Sequence, residues 1–518
     1  MSNRVEPPRL NQAMRYPPCG RYRPFTSRRY GCRMTDPTGD DATAPASVPA
    51  PPTTANTGAV GAFGREGGAE RDIPRKRVVS WAMWDWATQP FNTTVLTFVW
   101  VALYLTSWQF LDPELAAQGV LEDGSRMSCV DSAYIGSAYC GGLAELSAWW
   151  GWANFAAGIL ILLLAPVLGQ QADARGNKKK WLVGATFTLA LIQFLLFFVE
   201  ADPAFFWYGA FAVALGAVVN EIGGVNYNAM LVEVSTPATI GRVSGLGWGL
   251  GYLGGVVSLI VCIPLVLGLP TGSLAYKLVA LVCAVWTIVF AIPLFRNVPE
   301  TTVPSETRRA SFFASYKVLV HDLVKLFRTS RPTFWFLLAS AVYRDGLAGV
   351  FAFGAVLAAQ GFGFTTLEVM IFGLAANIVA GVSTLVAGRF DDRFGSRSVI
   401  VTALAGLVVM ALFIFFARDM GTIVFWIGGL VLSAFVGPAQ ASSRGLLARV
   451  TPAGMQGEIF GLYATTGRVA SFLSPAAWAL FIGAFGAIIY GVLGIGLILL
   501  VGLALLLLVK LPKHVRVD

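Results

Sequence analysis

Twelve apolar runs, divided by short polar stretches, occupy the chain beyond residue 78. They fall at about 80–108, 149–169, 181–199, 204–232, 245–268, 275–295, 333–359, 368–388, 398–417, 421–440, 457–484 and 486–509. About 20 apolar residues cross a bilayer core as an α-helix, and most of these runs reach that length. Lipid offers no partner to a free backbone N–H or C=O, so the runs are expected to be helical. The longer ones have room to tilt or to emerge from the bilayer. The pattern predicts an all-α membrane protein with twelve transmembrane helices.

Residues 1–78 break the pattern. They hold no apolar run and are rich in Pro, Gly, Ala, Thr and Arg, so they are expected to form a disordered cytoplasmic tail. An Arg-rich stretch precedes Met34 and an acidic, then Pro/Ala-rich stretch follows it, which fits a translation start at Met34. No segment has the order of a cleaved signal peptide, so the first span is expected to remain as an anchor.

Charge then orients the runs. Lys and Arg cluster on alternate loops: Arg75 to Arg77, Lys178 to Lys180, the stretch from Arg296 to Arg331, Arg389 to Arg397, Arg444 with Arg449, and Lys510 with Lys513. The opposite loops carry Arg126, Lys277 and Arg418. This asymmetry predicts that both termini are cytoplasmic, in the cell (plasma or inner) membrane. The expected divisions are a six-helix half over 79–295, a cytoplasmic linker over 296–332, a second six-helix half over 333–509 and a tail over 510–518. The largest outer loop, about 109–148, carries six acidic residues together with Cys129 and Cys140. On an oxidising face that pair can close a disulfide; two free thiols are an equal reading.

Composition narrows the function. Charged residues make up 13% of the chain and mean hydropathy is +0.65, against about 25% charged in soluble domains. The net charge of +9 is accounted for by topology, so it does not imply nucleic acid. Cys residues form no CxxC, and HExxH, GxSxG and Walker patterns are absent from the sequence. No metal, cofactor or enzyme activity is expected.

A ten-residue pattern occurs twice. Gly169, Asp173, Gly176 and Lys178 form one copy; Gly388, Asp392, Gly395 and Arg397 form the other, with Arg393 beside Asp392. The copies lie 219 residues apart, each between two apolar runs. A second repeat has nearly the same offset: Thr236-Pro237 leads to Gly245-Leu246, and Thr451-Pro452 leads to Gly461-Leu462. Six spans intervene, so the halves run in the same membrane direction, as in parallel-repeat transporters.

The Gly-Asp-Gly-basic pattern resembles the signature of the major facilitator superfamily. Its two loops read either as a conformational latch that gates the rocking of the halves or as topology-setting turns; the doubling favours the latch. The first copy departs from the usual Asp-Arg order, reading Asp173-Ala174-Arg175. Trp81 to Ala87, Tyr227-Asn228-Ala229, Gly241 to Trp248 (GRVSGLGW), Gln440 to Arg444 and Phe460 to Tyr463 are similar to the vacuole-effluxer family, the autophagy-related permease branch. The resemblance covers about residues 78–510. It implies a transporter, and fungal members are associated with export of amino acids from the vacuole.

Ionisable groups inside spans are costly and mark function by default. Arg344 and Asp345 lie near the middle of the seventh span and, as helix neighbours, should find different partners. Arg468 lies in the eleventh span, Glu221 in the fourth among Asn220, Asn226 and Asn228, and Asp85 in the first near Gln89 and Asn92. The resemblance implies that these spans border one central cavity. Arg344 and Arg468 are candidates to hold a substrate carboxylate. Asp345, Glu221 and Asp85 are candidates to accept a proton in a gradient-coupled cycle. Structural pairing, for example of Arg468 with Glu221, is the competing reading. Glu233 is expected to pair with Arg242. Asn377 and Gln440 can face the cavity or bond between helices. Tryptophans near span ends fit an aromatic belt, and the glycines from Gly245 to Gly255 fit close helix packing.

The reading favoured by these features is a monomeric secondary transporter of small organic solutes, amino acids foremost, working by alternating access with protons as a candidate coupling ion. Proton-coupled drug or metabolite efflux is the alternative. A non-transporting sensor or scaffold on the same fold ranks lower.

Overall fold

The structure, a computed structural model, describes residues 73–175, 177–236, 239–269, 272–300, 312–451 and 456–509. The expectations for the N-terminal tail before residue 73, a start at Met34, and the tail over 510–518 lie outside the described residues. Eleven helices there are long and apolar enough to cross a membrane. The first run adds the twelfth crossing in pieces. α1 (Arg75–Pro90) contains Pro90, which has no N–H to donate and interrupts the regular ladder. The chain then continues in wider π-helical turns over Phe91–Phe98 and Trp100–Leu105.

After the short α2 (Pro113–Gln118), the order is α3 (Ala138–Arg175), α4 (Lys178–Leu195), α5 (Phe206–Ala229), α6 (Ile240–Gly268) and α7 (Ser273–Asn297). Next comes α8 (Phe312–Thr329), an amphipathic helix inside the expected linker. Its Tyr316 hydroxyl donates to the Leu162 and Leu163 carbonyls of α3 at 3.2 and 2.8 Å. The second half holds α9 (Arg331–Val356), α10 (Thr366–Phe394), α11 (Ser396–Phe416), α12 (Thr422–Val450), a broken span α13 (Gln456–Val469) and α14 (Leu473–Phe485), and α15 (Tyr490–Leu508).

Helix ends run past the apolar runs, because a helix stays helical where its side chains turn charged. α12 extends ten residues beyond Gln440, so Arg444 belongs to a helix that spans from Thr422 to Leu447 and not to a loop. α3 starts at Ala138, inside the expected outer loop. The signature segments are helical as well. Gly169 and Asp173 lie in α3; Gly388, Asp392 and Arg393 lie in α10; Gly395, at φ +82°, makes the turn into α11. That φ favours glycine. Gly176 lies outside the described residues.

Glycines set the closest approach in the first half. A Cβ on Gly254 of α6 would sit 2.9 Å from the Trp86 carbonyl oxygen of α1, and one on Gly255 2.6 Å from Thr93 Oγ1. The spacing of Gly247, Gly251, Gly254 and Gly255 sets all four toward the first span. Gly245 and Gly249 meet open space.

The two halves are zipped at the face that carries the acidic loop. Gln360 Nε2 donates to the Ala102 carbonyl at 2.6 Å, and Trp478 Nε1 to the Ser147 carbonyl at 3.1 Å. The Val130 N–H reaches the Gly361 carbonyl at 3.2 Å, and the Ser132 N–H reaches Asp419 Oδ1 at 2.8 Å. Asp419, held by that N–H, titrates below the usual carboxylate range. Cys129 and Cys140 are joined, with Cα atoms 5.2 Å apart, so the two-thiol reading gives way. Phe98 packs on Gly373 across the same interface.

Candidate functional site

Five ionisable side chains singled out by position separate into four local sets. Glu221 of α5 and Arg468 of α13 form an ion pair across the halves. Their side chains are 35% and 22% exposed, so the pair is not sealed from the space between the halves. Arg468 stands just before the break in the eleventh span, and its carbonyl accepts from the Ser471 hydroxyl at 2.8 Å.

Arg344 of α9 and Asp345 do take different partners. Arg344 Nη1 donates to the Tyr463 carbonyl at 2.9 Å, and its guanidinium carbon lies 4.0 Å from the Tyr463 ring centroid. It runs over Gly467, where an added Cβ would meet Nη1 at 2.5 Å. Arg344 and Arg468 therefore border the same turn of α13. Asp345 turns away from them. Its buried carboxylate accepts the Ser474 N–H at 2.5 Å, at the first turn of α14. A helix restarting after a break exposes N–H donors, and a carboxylate satisfies them well. Asp345 thus holds the restart of the eleventh span. Ser471 and its neighbours form the turn itself, and Phe472 packs against Gly158 of α3 in the other half.

Asp85 of α1 belongs to an N-terminal aromatic set. A Cβ on Gly247 would meet Tyr227 Oη at 2.7 Å and Asp85 Oδ2 at 3.1 Å, so hydroxyl and carboxylate face the same glycine. Trp81 stacks on Tyr227 at 4.3 Å between centroids and donates its Nε1–H to the Tyr227 carbonyl at 3.1 Å. Trp84 stacks on the same ring at 4.6 Å and donates to Thr186 Oγ1 at 2.9 Å. Trp81, Trp84 and Trp150 are buried, which corrects the aromatic-belt reading for them. A buried indole N–H needs a protein acceptor, and Trp81 and Trp84 find theirs inside the bundle. Trp181 is 38% exposed at the start of α4.

The amides are less convergent. Asn228 Nδ2 and Asn377 Nδ2 each donate at 2.7 Å to a carbonyl one turn back on their own helix, at Gly224 and Gly373. Asn220 Nδ2 reaches Asn92 Oδ1 of the first span at 3.1 Å. Gln440 is half-buried on α12. An apolar void of about 50 Å³, lined by Phe98 of the first span and by Phe353, Phe372, Phe425 and Trp478 of the second half, offers no set of converging charges.

The described contacts of the signature segments stay within their own halves. Lys178 lies 3.7 Å from Glu233 and donates to the Ala229 carbonyl, so Glu233 serves Lys178 and not Arg242, which is exposed. Arg397 Nη2 donates to the Leu507 carbonyl at 3.0 Å, and Arg449 pairs with Asp391 at 3.3 Å. Charge and spacing along the chain miss Tyr463, which meets Arg344, and the contact between Arg444 and Trp248, whose ring centroid lies 4.8 Å from the guanidinium carbon across the halves. Arg444 reads as one more basic loop residue, and aromatic residues carry no charge signal. The signal available was their neighbourhood: GRVSGLGW contains Trp248, and the Phe460 to Tyr463 stretch contains Tyr463.

Residues 232–517 match the family model described as "Vacuole effluxer Atg22 like". An uncharacterized MFS-type transporter of Bacillus subtilis, YxiO, is 27% identical over 446 residues, covering 81% of this chain and 93% of the relative. Autophagy-related protein 22-2 of Aspergillus clavatus is 25% identical over 274 residues, 48% of this chain and 44% of that protein. Among solved structures, a D-xylose-proton symporter superposes with a TM-score of 0.55 at 12% identity, covering 82% of this chain and 95% of that chain. The human organic anion transporter TETRAN gives 0.53 at 18% identity, covering 84% and 100%. At such identities the structural likeness shows the fold, which is that of the major facilitators. The chain therefore belongs to the vacuole-effluxer Atg22-like family, a multi-pass membrane transporter and not an enzyme.

Proposed function

We propose that the protein moves small organic solutes, amino acids foremost, by alternating access, with protons as the coupling ion. The cross-half pair of Glu221 and Arg468 carries this reading. An ion pair between rocking halves changes its energy whenever they move, so ligand or proton binding at the pair biases the motion. Hydrogen bonds that join the halves at the acidic-loop face fit a state closed on that side. The two signature segments then act as latches that re-engage in the opposite state. Charge asymmetry supports a cytoplasmic basic face and cytoplasmic termini. Lipid and solute are the partners, and a monomer suffices.

Counterflow of labelled amino acids in proteoliposomes tests the reading. Exchange above empty liposomes is expected, and it should be lost in Arg344→Ala while the folded protein is recovered in normal yield. Absence of exchange across a broad amino-acid panel would defeat the substrate class. Absence of acidification of a trapped pH dye during net flux would defeat proton coupling.

A further inference from the structure

Among the described residues, Arg344 and Arg444 are two charges without a carboxylate. Arg444 lies inside the Thr422–Leu447 spanning stretch, with its guanidinium carbon 4.8 Å from the ring centroid of Trp248 on α6, in the opposite half. Ser443, its neighbour on α12, accepts the Tyr463 hydroxyl at 2.8 Å, and the Trp248 ring lies 6.2 Å from that of Tyr252 between centroids. Arg344 reaches a carbonyl and an aromatic face at Tyr463. Among the described residues, no carboxylate comes within 4.0 Å of either guanidinium.

Arg444 is exposed near the end of its spanning stretch and Arg344 is half-buried, so both guanidinia are open to a ligand. Two like charges near one another repel, and an anion between them relieves that repulsion. Aromatic faces offset only part of it. Arg468 is different, because Glu221 already neutralises it. The missing partner of Arg344 and Arg444 is an anion. Beside them Trp248 and Tyr252, 46% and 43% exposed, offer an apolar wall.

We propose that Arg344 and Arg444 form a two-arginine seat for one carboxylate of the substrate, with Trp248 and Tyr252 taking an apolar or aromatic body attached to it. This seat rests on the transporter reading above. It moves the carboxylate from Arg468 to Arg444 and leaves Arg468 to Glu221. Guanidinium pairs suit this task because their fixed N–H forks match a planar carboxylate. Because Arg344 and Arg444 belong to one half and Trp248 and Tyr252 to the other, an occupied seat would draw the halves together.

Benzoate, its neutral isostere benzamide, acetate and inorganic phosphate are the probes, read as thermal shifts of the purified full-length protein in detergent. Benzoate is expected to stabilise the protein and benzamide not to. Arg444→Gln should weaken benzoate by more than about tenfold, and Arg344→Lys by less. Trp248→Ala should weaken benzoate while sparing acetate. Arg444 makes no hydrogen bond within its own half among the described contacts, so R444Q should fold; a melting curve without ligand checks this. Equal shifts by benzoate and benzamide, equal protection by phosphate, or unchanged benzoate binding in R444Q would each overturn the seat. In proteoliposomes, substrate exchange with an unchanged KM in R444Q removes the seat but keeps the transporter. R444Q-sensitive benzoate binding with no solute moved keeps the seat and removes the transport reading.

Discussion

The two halves share one helical plan and divide their chemistry. In the first half, α1 and α5 supply carboxylates, Asp85 against Tyr227 and Glu221 directed to the other half. In the second, α9, α12 and α13 supply arginines, and the one carboxylate among these site residues, Asp345, is engaged by backbone. The repeat preserves the signature segments along the chain. It does not preserve the charges between them, because charges meet across the interface and complementarity there requires unlike partners. Packing is shared more evenly. Glycines bring α1 and α6 together at Gly254 in the first half and α14 and α15 together at Gly494 in the second, where Asp345 also holds the restart of a broken span.

Removing the cap should have the largest effect on stability. Asp345→Ala leaves a buried Ser474 N–H without its acceptor, a loss of about 2–3 kcal/mol. The expected result is a lower melting temperature in detergent with reduced yield, and Asp345→Asn should recover part of it. An unchanged melting temperature in D345A would remove Asp345 from the restart of the eleventh span. The first half should break through packing. Gly254→Ala sets a methyl against the backbone of Trp86, which cannot rotate away, and costs about 1–3 kcal/mol. Gly249→Ala, facing open space, should cost less than about 0.5 kcal/mol. Equal melting curves for the two would refute glycine-limited contact.

The bridge between the halves comes next. Glu221→Gln leaves Arg468 uncompensated, and the exposure of the pair holds the cost to about 1 kcal/mol. Combining Glu221→Gln with Arg468→Gln should restore most of that stability without restoring transport. A strictly additive double mutant would show that the pair does not interact. The weakest effect belongs to the acidic-loop face. Asp419 has a folded-state pKa below its unfolded value, so its contribution to zipping is fully present above the usual carboxylate range. It is lost as pH falls through the lowered value. Asp419→Asn should therefore flatten the acid limb of a stability-versus-pH curve, and an identical limb would remove Asp419 from that closure.

Apolar runs and alternating charge made the spans legible, since both follow from the cost of exposing backbone or charge to lipid. The boundaries were less so. α12 continues through Arg444 to Val450, because hydropathy marks where lipid ends and not where hydrogen bonding ends. Intramembrane charge also pointed to Glu221 and Arg468 individually, and their pairing was one of the readings the residues allowed. Asp345 was visible as a carboxylate inside a span, yet its role depends on where the eleventh span breaks, which no pattern at Ala470 to Phe472 announced. Tyr227 lay in a segment similar to the family, but its stacking against Trp81 and Trp84 joins residues more than 140 positions apart in the chain.

By itself the sequence determined a twelve-span, twice-repeated membrane chain, because hydrophobic length, charge asymmetry and a fixed repeat offset are properties of order along the chain. Only the tertiary structure decided which charges are neutralised. Glu221 meets Arg468, Asp345 meets a helix end, and Arg344 and Arg444 are left facing aromatic rings. Partnership at that depth is set by distances of a few ångströms between helices far apart in sequence, and a low dielectric makes those distances decide the energy.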